Sequence, residues 1–128
     1  MSDNIEKNKA TVRAFYDTAF NQKLPGEAVS RYVGRVYRQH NPLFGDGAQA
    51  FIDAVKAWTG AHPSLRADIK RILAEGDFVV THVHIRDHDE DRGVAALDIF
   101  RLEDGKIVEH WDVIQAIPDK AANGNTMF

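Results

Sequence analysis

Apolar residues recur at two spacings along the chain, helical in the first half and alternating in the second. Ile5, Val12, Phe15, Tyr16 and Ala19 repeat at helical spacing, with Asp3 as the expected N-cap and Glu6 at the capping-box position. The stretch 21–26, with Pro25, ends that helix, and residues 27–33 are expected to form a short second one. Residues 36–40 read as a short strand, which must leave regular structure at Asn41-Pro42. Gly45-Asp46-Gly47 is a turn, with Asp46 the expected cap of a helix over 48–61 whose apolar stripe is Phe51, Ile52, Val55 and Trp58. Strands follow. One is expected over 65–74, with an interruption at 71–73 that suggests a bulge, and one over 78–86 after a turn at 75–77. A polar loop at 87–93 leads to two more strands joined by Asp104-Gly105, and 116–128 reads as an irregular tail. Helices first and hairpin-linked strands last predict an α+β fold, with helices against one face of a curved antiparallel sheet. No repeat or linker divides the chain, so residues 1–128 are read as a single domain.

The last apolar stretch, 98–115, carries polar residues where strand core is expected. Side chains alternate between the two faces of a strand, so His110 and Asp112 share one face, in line with Val108 and Ile114. Asp98 stands between Ala96 and Phe100 on its own face. A carboxylate on an apolar face is costly unless it is paired, hydrated or used, which makes this hairpin the place to look for a site.

Charge narrows the function classes. The net charge is −3 and the Lys and Arg residues are scattered, which gives no electrostatic case for nucleic acid. The chain has no cysteine, so disulfides and thiolate metal sites are excluded. No stretch approaches the roughly 20 apolar residues of a membrane span, and the N-terminus lacks the apolar run of a signal peptide. A cytoplasmic protein is the expectation.

Three segments point to a family: Tyr37-Arg38-Gln39-His40-Asn41-Pro42, Glu75-Gly76-Asp77-Phe78-Val79-Val80, and Asp98-Ile99-Phe100-Arg101-Leu102 continued by Glu109-His110-Trp111-Asp112. With the terminal Asn125-Thr126-Met127-Phe128, they resemble the SnoaL-like polyketide cyclases and their bacterial relatives predicted to catalyse aldol condensations. That group lies within the nuclear transport factor 2-like superfamily. The resemblance implies a cone-shaped sheet around a pocket, a small-molecule substrate, no organic cofactor, no metal, and a homodimer. It also implies a strand carboxylate acting as general acid/base on a carbonyl compound, in aldol cyclisation or isomerisation, and Asp112 matches that position. Asp98 stands where the cyclases carry a histidine, a departure that bears on the chemistry.

The candidate catalytic residues are therefore Asp112, His110 and Asp98. An apolar pocket raises a carboxylate toward the working range of a general base, while the other two orient the base or polarise the carbonyl. His40, His82, His84, Phe100, Tyr16 and Trp58 are the candidate substrate-binding residues. His82 and His84, two apart on a strand, have the spacing to share a metal, with Asp98 as a third ligand, but nothing in the spacing fixes that third ligand and no metal is expected. An apolar outer sheet face made of Val79, Val83, Ile107, Trp111 and Val113 is expected to need cover by a second subunit. Two other functions compete: a non-catalytic binding or dimerisation module, and a hydrolase that needs Arg86 or Arg101 turned inward between Asp98 and Asp112.

Overall fold

The computed structural model describes residues 2–128, the side chains of Ser2 and Asp3 excepted, so the expected capping role of Asp3 lies outside the described residues. Helix α1 (Ser2–Tyr16) runs on into a wider π-helical turn, Asp17–Asn21, and is followed by α2 (Pro25–Tyr32). Strand β1 (Val33–Gln39) precedes α3 (Ala48–Ala61), and the chain then makes four strands in succession. These are β2 (Arg66–Glu75), β3 (Phe78–Arg86), β4 (Val94–Glu103) and β5 (Lys106–Ala116). The five strands form one curved sheet in the order β1-β5-β4-β3-β2, with the helices on its inner face.

β2 to β5 pair as antiparallel neighbours, but β1 runs parallel to β5, so the sheet is mixed rather than wholly antiparallel. The β4–β5 hairpin turns at Asp104-Gly105, both with positive φ (49° and 77°), the backbone required by the tight two-residue turns that suit twisted strands. The interruption in β2 is a register shift between Ile69 and Arg71. A second shift, between Arg101 and Leu102, pairs Leu102 with Ile107 although Arg101 pairs with Glu109. Val108 is the extra residue, and the bulge turns Ile107 to the inner face.

That bulge corrects the expected outer face. Ile107 is fully buried among the helices. Val79 and Val83 are buried there too, because β3 pairs Val79 with Phe100 and Val83 with Ala96. Odd positions of β3 thus share a face with even positions of β4. The outer face instead carries Leu97, Ile99, Trp111 and Val113, of which Val113 is 75 % exposed.

An aromatic cluster joins helices to sheet. Phe15 stacks on Phe51 at 5.1 Å between ring centroids and meets Phe100 edge-on at 6.0 Å, geometries that add to the apolar area they bury. Phe20, on the π-helical turn, meets Trp58 edge-on at 5.7 Å. On the next position Asn21 reaches the edge strand β2, donating to the Ala67 carbonyl (3.0 Å) and accepting the Ala67 N–H (2.8 Å). Asp46 does not cap α3, whose N-cap is Gly47. Its carboxylate accepts the Gln39 N–H at 2.8 Å and ties the loop back to β1.

Candidate functional site

The cone encloses a cavity of about 290 Å³, at the low end of ligand-pocket sizes. Nearly half of its lining residues are Phe, Tyr or Trp, among them Tyr16, Trp58 and Phe100. Asp98, His110 and Asp112 supply polar groups at its floor. β4 and β5 pair Phe100 with His110 and Asp98 with Asp112, which brings the two carboxylates and the imidazole together on the inner face. Each of the three offers a potential ligand atom, all within 4.8 Å of one another. A divalent cation could share that donor set, but both oxygens of Asp98 are already engaged in hydrogen bonds.

Asp98 is 2 % exposed and fully used. Its Oδ2 accepts the Tyr16 hydroxyl (2.8 Å) and the Thr81 hydroxyl (3.2 Å), and its Oδ1 lies 2.8 Å from His110 Nε2. Tyr16 is held well above the ordinary tyrosine range, first by burial and then by the adjacent Asp98, so it stays a donor. Tyr37, stacked at 6.2 Å on the His110 ring, is likewise pushed up by burial and by Asp98.

Asp112 is different. Its Oδ2 lies 3.7 Å from His110 Nε2, beyond hydrogen-bond reach. Burial pushes its carboxyl above the ordinary range, and Asp98 adds to that, while His110 and Asn41 pull it down. It is the least committed acid of the floor.

Gln39 and Asn41 were not singled out from the sequence, where two polar residues at a strand end look like the start of a loop. Gln39 lines the cavity, and its Oε1 lies 2.8 Å from His110 Nδ1 and 3.0 Å from the Asn41 nitrogen. The loop that follows brings Leu43 and Phe44 to the cavity, Leu43 being 86 % exposed.

Three expected substrate-binding residues do not line the cavity. His40 lies on the outer side, stacked on Trp111 at 4.8 Å and bonded to Glu109 at 2.7 Å. Glu109 also accepts from Arg101 (2.8 Å), and its carboxyl is held below the usual range, first by His40 and then by Arg101. His82 and His84 pair with Leu97 and Ala95 on the outer face. There His82 meets Arg71 and His84 meets the Arg92 carbonyl, with the Phe128 ring over both. They are on the opposite side of the sheet from Asp98, so the three cannot share a metal. The inward arginine that a hydrolase needs is also missing from the cavity lining, since Arg101 binds Glu109 and Arg86 reaches Asp68.

A curved sheet closed by helices over a pocket with acids on its floor defines the class: an α+β cone of the nuclear transport factor 2-like type. The model of the SnoaL-like domain matches residues 12–110, and the chain belongs to that family. Among solved structures, TsrD from Streptomyces laurentii is 23 % identical, with 83 % of this chain and 89 % of that one covered at a TM-score of 0.66. A candidate polyketide cyclase from Bacillus cereus is 21 % identical (84 % and 74 % covered, TM-score 0.72). A candidate ketosteroid isomerase from Kribbella flavida is 15 % identical (94 % and 86 % covered, TM-score 0.73). At these identities the likeness is one of fold. No curated protein matches the chain. Among the described residues, no helix is long and apolar enough to cross a membrane.

Proposed function

We propose that the protein is a cofactor-independent acid/base enzyme that moves a proton next to the carbonyl of a small, largely apolar molecule, in an aldol cyclisation or an isomerisation. The observation that carries this reading is Asp112: a carboxylate on the floor of an aromatic cavity, raised by burial and not consumed by a strong partner. A base with those properties takes a proton from an α-carbon efficiently. His110, held by Asp98, lies beside it to stabilise the charge that develops on the carbonyl oxygen. The cavity favours a substrate of one or two rings. The names of two structural neighbours, a candidate polyketide cyclase and a candidate ketosteroid isomerase, agree with carbonyl chemistry in this fold.

The test is deuterium incorporation α to the carbonyl of mono- and bicyclic ketones in D2O, followed by NMR with and without a chelator. Enzyme-dependent incorporation that survives chelation is expected. A panel that shows binding by thermal shift but no exchange would favour the non-catalytic binding module instead.

The exposed apolar residues of the outer face, Leu97, Ile99 and Val113, support a homodimer built through that face. Val113→Asp is expected to give a monomer in sedimentation at concentrations where the parent chain is a dimer. A monomeric parent chain would sink the idea.

A further inference from the structure

We propose that Gln39 is a positioning residue of this site: it fixes which nitrogen of His110 carries a hydrogen, and with Asn41 it ties that choice to the loop over the cavity. The importance of that choice rests on the reading of Asp98, His110 and Asp112 as the working groups; the choice itself does not.

The argument begins with a donor that has no alternative. The backbone N–H of Asn41 only donates, and it points at the Gln39 side chain at 3.0 Å, so the atom facing it is the amide oxygen. That same oxygen lies 2.8 Å from His110 Nδ1. An amide oxygen cannot donate, so Nδ1 must carry the hydrogen. Flipping the amide would set NH2 against the Asn41 N–H, leaving a donor unmet in a part-buried position.

With Nδ1 settled, the other side of the ring follows. Nε2 faces Asp98 Oδ1 at 2.8 Å with one hydrogen between them, and Asp112 stands 3.7 Å away. The groups packed against the ring are Asp98 from β4, Asp112 from β5 itself and Tyr37 from β1, with Tyr16 of α1 reaching it through Asp98. The other tautomer, hydrogen on Nε2 and none on Nδ1, would hold one transferable proton fewer along Asp98, His110 and Asp112.

Gln39 is itself held from both sides. Its backbone N–H goes to Asp46, and it pairs with His110 in the β1–β5 ladder. Asn41 accepts the Leu43 N–H at 2.8 Å with its side-chain oxygen. The amide that faces the imidazole is therefore joined, through Asn41, to the loop that carries Leu43 and Phe44 to the cavity.

Long-range ¹H–¹⁵N spectra of histidine-labelled protein test this without a substrate. The protein has six histidines, and His110→Gln assigns the signal. In the parent chain, His110 Nδ1 is expected to stay hydrogen-bearing from about pH 5 to 9, the range over which histidines ordinarily titrate. Gln39→Leu should abolish that fixed state, and Gln39→Glu, which keeps an acceptor, should restore it. Where α-deuterium exchange is measurable, Gln39→Leu should lower its kcat about ten-fold with KM little changed, and Gln39→Glu should recover most of it. A bare Nδ1 in the parent chain would overturn the proposal even if no variant folds. So would an unchanged His110 signal in Gln39→Leu. A locked Nδ1 in a protein that exchanges no substrate would overturn the catalytic reading alone.

Discussion

Asp112→Asn is expected to lower α-deuterium exchange by about 10²–10⁴-fold, the usual contribution of a general base, while the chain folds at least as well as before. The two halves of that result have one cause. Burial raises the Asp112 carboxyl, which means that ionising it in the folded state costs more than in the unfolded chain. Its contribution to stability is therefore greatest below the unfolded carboxylate value and is lost as pH rises through the higher folded value. Asparagine lacks that loss. The variant's melting temperature should match the parent's in acid, rise above it as pH increases, and keep a constant lead once the parent's Asp112 is fully ionised. Calorimetry across pH, run alongside the exchange assay, checks both halves. An Asn variant with full activity would remove Asp112 from the mechanism.

Asp98→Ala is expected to do the opposite, acting mainly on folding. It strips the acceptor from three buried donors at once: the Tyr16 hydroxyl, the Thr81 hydroxyl and the His110 side facing Oδ1. Removing one partner from a buried, hydrogen-bonded ionic group costs about 3–5 kcal/mol. For a domain of this length that corresponds to a drop of roughly 10–20 °C in melting temperature. Asp98→Asn keeps one acceptor oxygen and should lose clearly less. If Asp98→Ala melted with the parent chain, the network would not be holding the floor together.

The contrast between these two aspartates was only partly legible in the sequence. Alternation put Asp98 on one strand face and His110 with Asp112 on another, and the tight turn between the strands was readable as Asp104-Gly105. The bounds of α3 and β3 also follow from pattern alone, since both are long and strongly periodic. What alternation does not say is which face meets the helices. His82 and His84 share parity with each other but stand opposite the buried Val79, Thr81 and Val83. Only the β3–β4 register, with Thr81 across from Asp98, turns them outward. Ile107 was misplaced for a different reason, because one extra residue at Val108 resets parity for everything before it. Gln39 and Asn41 were invisible because their role depends on a parallel pairing between residues far apart in sequence. No local signal marks such a pairing.

That pairing has a consequence for how the molecule comes together. β2 to β5 are joined by short turns and can assemble from contacts close in sequence, whereas β1 has to find β5 across most of the chain, Gln39 meeting His110 from 71 positions away. Closing so long a loop costs entropy before any contact offsets it, and such contacts slow folding. β1 is also an edge strand with a single neighbour, the kind of element that opens before the rest of a sheet. A partly folded chain can thus hold its two acids and the imidazole on a formed hairpin without yet having the Gln39 amide that orients the ring. Acquisition of structure and acquisition of activity should then be separable in time, with activity arriving second.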